Sequence, residues 1–267
     1  MIRIVKSLLG YKLAFQIADW KKEWFPNKMQ AKIKRNEIIE SEKKKLFYRS
    51  FIKENDLCFD VGANLGNRVE PLLNIGAKVI AVEPQEYCNK YLQYKFGKKI
   101  EIVTKGLGET EGIKDFHISK YYALSSFSED WINSVKTGRF KGTNWDKVIK
   151  VEMTTLDQLI AKFGLPAFIK IDVEGYELLV LKGLSRSVKM ISFEFTVPEQ
   201  TNNAIDCISQ IEKIGSNIEC NYSIGESMIF AMKDWVSASS MKNFILSDDF
   251  AKIGFGDIYV RNKGFND

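Results

Sequence analysis

Two groups of residues in this sequence have the types and spacing to do chemistry together. The first is Asp60-Val61-Gly62-Ala63-Asn64-Leu65-Gly66-Asn67, followed by Val82-Glu83-Pro84. Glycine lacks a Cβ and tolerates positive φ, so Gly62 and Gly66 allow backbone to approach a ligand closely. An acid roughly 20 residues beyond such a turn is placed to hold ribose hydroxyls, and Glu83 stands there. The arrangement describes a nucleoside site. The second group is Lys170-Ile171-Asp172-Val173-Glu174-Gly175-Tyr176-Glu177, with Glu194 further on. Carboxylates that share a site raise one another's pKa, which suits proton exchange near neutral pH.

Elements of definite kinds must position these groups. The apolar run Leu57-Cys58-Phe59 leads into the glycine turn, and Lys78–Val82 reads as a strand that ends at Glu83. This is a strand, a turn, a helix start and a second strand. A helix is expected over 65–74 with Gly76 as its stop, and another from Pro84 to about Phe96. Strands are expected at 57–61, 78–82, 100–104, Ala167–Val173 and Met190–Val197, with short closing strands at Met228–Met232 and Asp257–Val260. Thr155 can cap a helix over Leu156–Phe163, a helix before Gly183 runs to about Leu181, and Ala204–Ile214 reads as another. Strands that alternate with helices imply an α/β, mainly parallel, doubly wound sheet. Such a sheet binds ligands beyond the carboxyl ends of its strands, at the point where strand order reverses. Asp172 and Glu174 would then lie opposite the Gly62–Gly66 turn. Lys170 falls on the same side of its strand and invites a local ion pair with them.

The dinucleotide pattern G-x-G-x-x-G would fall on Gly62, Asn64 and Asn67, and only the first is glycine. NAD and FAD therefore fit poorly, and no G-x-x-x-x-G-K-[ST] occurs. The 267 residues suit one large α/β domain with an extension. Charge is uneven: residues 1–55 hold 14 Lys and Arg against 6 Asp and Glu, net +8, and the remainder carries −3. We divide the chain into a basic helical extension, 1–50, and a domain, 51–267, with an insertion at about 109–150. Phe25-Pro26-Asn27 marks a break within the extension, and residues 1–20 have the apolar spacing of an amphipathic helix. Cys58, Cys88, Cys207 and Cys220 lack C-x-x-C spacing, so neither zinc nor a disulfide framework is expected, and the chain reads as cytoplasmic. No apolar run approaches the roughly 20 residues of a membrane-spanning helix. The first 20 residues are broken by Arg3, Lys6, Lys12 and Asp19, and no signal peptide is expected.

Taken in order, Phe59–Asn67, Val82-Glu83-Pro84, Thr155–Leu159, Lys170–Glu177 and Leu181-Lys182-Gly183 resemble the FkbM-family methyltransferases over about residues 55–197. The resemblance implies a Rossmann-like class I methyltransferase fold with an antiparallel closing strand. It implies S-adenosylmethionine as donor and mostly O-methylation, on hydroxyls of sugars, glycans or natural products. Carried over by position, Asp60, Gly62, Asn64, Gly66 and Asn67 would line the methionine and ribose side of the cofactor. Glu83 and Pro84 would hold the ribose, Gly106 and Leu107 would lie beside adenine, and Asp172 would sit near the sulfonium. Asn67 and Arg68 depart from the hydroxyl and aromatic residues common in the family at those places.

Methyl transfer to an alcohol needs an in-line approach and a base for the departing proton. Asp172 or Glu174 is expected to accept that proton, with Glu194 orienting the acceptor. His117, the only histidine, has a suitable unperturbed pKa, but a lone histidine in a strand is more often a surface residue. The three carboxylates could also offer oxygens to Mg²⁺; the resemblance does not require a metal, and none is assigned. In the insertion, Ser125, Ser126 and Trp131 are candidate acceptor contacts, with Tyr121, Tyr122, Phe127 and Trp145 able either to stack on a sugar or to pack a lid. The basic extension is expected to cap the domain, with peripheral membrane contact through residues 1–20 as a second use. No nucleic-acid motif is found. Two alternatives remain open: an NAD(P)-dependent oxidoreductase, which predicts a Tyr-x-x-x-Lys pair beside the cofactor, and a non-catalytic nucleoside-binding protein.

Overall fold

The computed structural model describes residues 10–16, 18–19, 28–215 and 217–265. Its strands are β1 (Leu57–Val61), β2 (Lys78–Val82), β3 (Ile100–Val103), β4 (Gly106–Leu107), β5 (Gly112–Ile118), β6 (Lys147–Thr154), β7 (Phe168–Ile171), β8 (Met190–Thr196), β9 (Ile218–Ile224), β10 (Val236–Ser237) and β11 (Phe255–Asn262). Residues 10–16 are helical. The helices that follow are α1 (Lys28–Tyr48), α2 (Val69–Leu73), α3 (Glu86–Phe96), α4 (Glu129–Val135), α5 (Leu156–Phe163), α6 (Glu177–Lys182), α7 (Thr201–Ile214), α8 (Ala238–Ile245) and α9 (Asp248–Ala251).

Eight strands form the main sheet, in the order β10-β9-β11-β8-β7-β1-β2-β3. β3, β2, β1, β7 and β8 are parallel, and β11 runs antiparallel between β8 and β9. Alternation along each strand sends successive side chains to opposite faces, and each face has its own core. Phe59, Val61, Ile169, Ile171, Ile191 and Phe193 pack with α5, α6, α7 and α8. Cys58, Val79, Ala81, Phe168, Met190 and Tyr259 pack with the end of α1 and with α2 and α3. The sheet is thus doubly wound. Among the described residues, no helix is long and apolar enough to cross a membrane.

Several boundaries differ from expectation, each for a local reason. The helix expected over 65–74 shrinks to α2, because residues 64–68 form the turn instead. Met228–Met232 forms no strand. The strand is β9, where Ile218, Cys220 and Tyr222 alternate inward. The insertion is more regular than expected: β4, β5 and β6 make a second sheet in the order β4-β6-β5, drawing on residues from Gly106 to Thr154. Thr155 caps α5 as foreseen, its Oγ1 accepting from the Gln158 N–H at 3.1 Å. α1 takes up the later part of the proposed extension; residues 25–27, where a break was expected, lie outside the described residues, as do 1–9.

Candidate active site

β1 and β7 are neighbours, and their carboxyl ends carry the two groups singled out above. The turn after β1 is pinned to β2: the Gly62 and Ala63 N–H groups donate to the Val82 carbonyl at 2.9 and 3.1 Å. Gly62 has φ +84°, and a Cβ there would lie 1.8 Å from the Asp172 carbonyl oxygen. Only glycine lets the two strand ends approach so closely. Gly66 (φ +82°) serves packing, since its missing Cβ makes room for the Phe96 ring.

Glu83, at the end of β2, is 2 % exposed. Its carboxylate accepts the Asn64 N–H at 2.9 Å and the Gln85 N–H at 2.8 Å. Burial lifts its pKa to about 7, against the pull of those hydrogen bonds. Asp60, 1 % exposed beneath the turn, is pushed up to about 6 by burial, with Arg68 and Lys170 opposing, and its Oδ2 has no partner.

These elements frame a pocket with about 480 Å³ of empty space, counting its open mouth. Gly62, Asn64, Glu83, Pro84, Gly106, Leu107, Asp172 and Glu174 line it, as does Ser125. Its remaining walls include Gln85, Lys105, Phe116, Tyr122 and Phe127. Asp60 and Gly66 sit behind the wall, and Asn67 is exposed. Gly106 carries no side chain because Phe127 and Met153 fill that space. Tyr122 is stacked on Tyr87 of α3, ring centroids 4.6 Å apart.

Asp172, Glu174 and Glu194 converge at the pocket's edge, each offering an oxygen within 4.8 Å of the others. Burial pushes Glu174 and Glu194 well above the usual carboxylate range, and the nearby Asp172 charge adds to the effect. One divalent cation could be shared at this spacing. A sulfonium or a dissociable proton answers the same excess of negative charge. Glu174 has φ +54°, a costly conformation for a residue with a Cβ, and it is followed by Gly175 at φ +84°. Two side chains hold this turn. Ser126 Oγ donates to the Glu174 carbonyl at 2.7 Å, and Glu177 Oε1 accepts the Val173 and Gly175 N–H groups at 3.1 and 3.2 Å. Glu177, the first residue of α6, thus braces the turn that leads into its helix, and no side chain caps that helix. Burial raises Glu177 to about 7.

The ion pair foreseen for Lys170 is present, Nζ lying 3.4 Å from Asp172 Oδ2. Its nearer partner is Asp257 Oδ1 on β11, at 2.7 Å. Nothing in the local sequence announced Asp257, since 87 residues separate the two. Glu177 stood within the second group and could have been found from its spacing to the turn.

The insertion serves the site mostly through packing. Trp131 is 1 % exposed and fills the space beside Gly175, where a Cβ would lie 2.4 Å from its own. Ser126 is fully buried. Neither Ser126 nor Trp131 lines the pocket, whereas Ser125 does; its Oγ donates to Gln85 Oε1 at 3.1 Å. His117 faces another groove and lies 3.3 Å from Glu129. Tyr91 and Lys95 stand at Tyr-x-x-x-Lys spacing, but neither lines the pocket, and Lys95 pairs with Glu70 at 2.7 Å.

Residues 60–224 match the methyltransferase FkbM domain. No curated protein matches the chain with significance. Among solved structures, it is similar to a TehB-like SAM-dependent methyltransferase from Corynebacterium glutamicum, with 10 % identity, a TM-score of 0.43 and coverage of 83 % of this chain and 88 % of that one. It is also similar to a precorrin-6y C5,15-methyltransferase from Geobacter metallireducens (9 % identity, TM-score 0.39, 84 % and 86 % covered). A putative RNA methyltransferase from Pyrococcus horikoshii gives 11 % identity, a TM-score of 0.41 and coverage of 85 % and 84 %.

Proposed function

The chain belongs to the FkbM family of S-adenosylmethionine-dependent methyltransferases, and from that premise we propose that it methylates a hydroxyl of a sugar, glycan or natural-product intermediate. The observation that carries this reading is the convergence of Asp172, Glu174 and Glu194 at the edge of the pocket that Glu83 lines. In the proposal, Glu83 accepts hydrogen bonds from the ribose diol, the turn from Gly62 to Asn64 faces the methionine, and Gly106 and Leu107 flank the adenine. S-adenosylmethionine supplies a methyl group already activated by its positive sulfur.

The chain's own residues then have three tasks. They hold the acceptor oxygen in line with the methyl group. They lower the cost of the sulfonium through nearby carboxylates. They take the hydroxyl proton, a task we assign to Asp172 or Glu174, with Glu194 orienting the acceptor. Burial and the Asp172 charge hold Glu174 and Glu194 above the ordinary carboxylate range, and a cationic donor beside them favours their ionised, basic form. No metal is assigned to the step. We take residues 51–267 as the methyltransferase domain and 1–50 as its basic extension. A cytoplasmic location belongs to the same proposal and accords with four free, buried cysteines. Peripheral membrane contact through residues 1–20 would be lost if no pelleting with anionic liposomes occurs at low salt.

The direct test is calorimetric titration with S-adenosylhomocysteine, with NADH and NADPH in parallel, on wild type and Glu83→Ala. Binding of the homocysteine product alone, weakened in the variant, is expected. Preferential NAD(P)H binding would overturn the donor assignment. Mass spectrometry of hydroxylated glycans incubated with enzyme and donor then tests the acceptor class; methylation only at nitrogen or carbon would remove the O-methylation reading.

A further inference from the structure

Lys170 is fully buried, and its three N–H donors have three oxygen neighbours. Nζ donates to Asp257 Oδ1 at 2.7 Å and to the Ile171 carbonyl at 3.2 Å, and it faces Asp172 Oδ2 at 3.4 Å. The two carboxylates are not equivalent. The Asp257 side chain is 4 % exposed and lies below the lysine, whereas that of Asp172 is 31 % exposed and opens into the pocket. Asp257 is itself fixed from behind. Tyr259 Oη donates to its Oδ2 at 3.4 Å, and Arg68 Nη2 lies 3.8 Å from the same oxygen. Arg68 is clamped by Glu226 through two hydrogen bonds of 2.7 Å, and Lys44 of α1 reaches Glu226 at 3.1 Å. Asp257 and Glu226 both fall beyond residues 60–224, the span matched to the family.

An ammonium in a dry interior draws the carboxylate it can reach. With Asp257 in place, Lys170 has a charged partner that is not needed at the pocket. Without it, Asp172 would be the only charged partner of the lysine among these contacts.

We propose that Asp257 is a positioning residue for methyl transfer, neutralising Lys170 from below so that Asp172 presents its charge to the donor's sulfonium. This rests on the donor reading above. Asp257 touches neither donor nor acceptor and acts through Lys170.

The test compares affinities for S-adenosylmethionine and S-adenosylhomocysteine, which differ by the charged methylsulfonium. A purely structural defect weakens both alike. In Asp257→Asn, the donor-to-product affinity ratio should fall about tenfold, equivalent to roughly 1.4 kcal/mol. Asp257→Glu should keep most of the wild-type ratio. The double variant Lys170→Met/Asp257→Leu deletes the buried pair as a unit, leaving Arg68 its Glu226 partner and Asp172 its opening to the pocket. It should show a ratio at or above wild type, and it decides the matter if Asp257→Asn does not fold. An unchanged ratio in Asp257→Asn, or a reduced one in the double variant, would overturn the proposal. Failure of the wild type to bind either ligand would instead sink the donor reading itself.

Discussion

The carbonyl oxygen of Asp172 occupies the place where a side chain on Gly62 would begin, 1.8 Å from its ideal Cβ. The glycine turn and the acidic turn are therefore two halves of one surface, and a change in the first is felt directly by the second. Gly62→Ala must adopt φ near +84° and push Asp172 away. The backbone conformation alone costs about 1–2 kcal/mol. We expect S-adenosylhomocysteine binding to fall below detection in calorimetry while the circular dichroism of the sheet persists. Near-normal binding would show that the two turns are not coupled.

Glu83 gives a pH-dependent prediction for ligand binding. Its ionised form offers only acceptors to a ribose diol, and burial places its pKa at about 7. Affinity for S-adenosylhomocysteine should therefore rise as pH climbs through about 7, with release of a proton. Glu83→Gln should bind more weakly above that pH and lose the pH dependence. Titrations in buffers of different ionisation enthalpy would detect the proton.

A second pH effect concerns the ligand-free fold. Asp60 at about 6, Glu83 at about 7 and Glu177 at about 7 all lie above ordinary carboxylate values. Between the unfolded value near 4 and these folded values, the native state binds more protons, so stability falls as pH rises. The contribution is full below about pH 4 and is lost once pH passes about 7. Glu226, held at about 2 chiefly by Arg68 against the effect of burial, acts in the opposite sense, but its window closes as pH rises past about 4. The melting temperature of the ligand-free protein should decline from about pH 5 to about pH 8, by about 2–4 °C for each kcal/mol lost. A rising curve over that range would contradict the burial of these carboxyls.

Asp172→Asn preserves shape and removes the charge. We expect kcat to fall by about 10²–10⁴-fold, the usual range for loss of a proton acceptor, while S-adenosylhomocysteine still binds. Single-turnover rates with saturating donor separate the two effects. Full activity would end the assignment of Asp172.

Trp131 links the insertion to the acidic turn through Gly175. Trp131→Ala should destabilise the protein by about 3–5 kcal/mol in urea titrations. Activity at low temperature should fall through the loosened turn at Glu174. Trp131→Phe should recover part of the loss, and a direct acceptor contact would instead appear as a raised acceptor KM with unchanged stability.

Local signals explain what could be read from the residues alone. Gly62, Asn64, Glu83, Pro84 and Asp172 stand at strand ends, where the alternation of strands and helices dictates which end faces the ligand. Their pocket positions follow from short stretches of chain. Tyr122 and Gln85 depend on how the insertion folds back, and no periodicity reports that. The contact of Lys170 with Asp257 spans 87 residues. Ser126 and Trp131 have the chemistry of acceptor contacts, yet tertiary packing claims both. The misplaced strand at Met228–Met232 shows the same limit, because an apolar run there packs as a loop while the inward alternation of Ile218, Cys220 and Tyr222 makes the strand.

The two-residue strand β4 belongs to the second sheet, pairing with Met153 and Thr154, while its residues also line the pocket. A ligand resting on Gly106 and Leu107 therefore grips that sheet by its edge. Occupancy and closure of the small sheet then draw on one free energy. Amide hydrogens along β5 and β6 should exchange more slowly when the pocket is filled, including those whose residues never meet the ligand. The sheet that looks like an ornament on the fold is the part best placed to register whether the pocket is full.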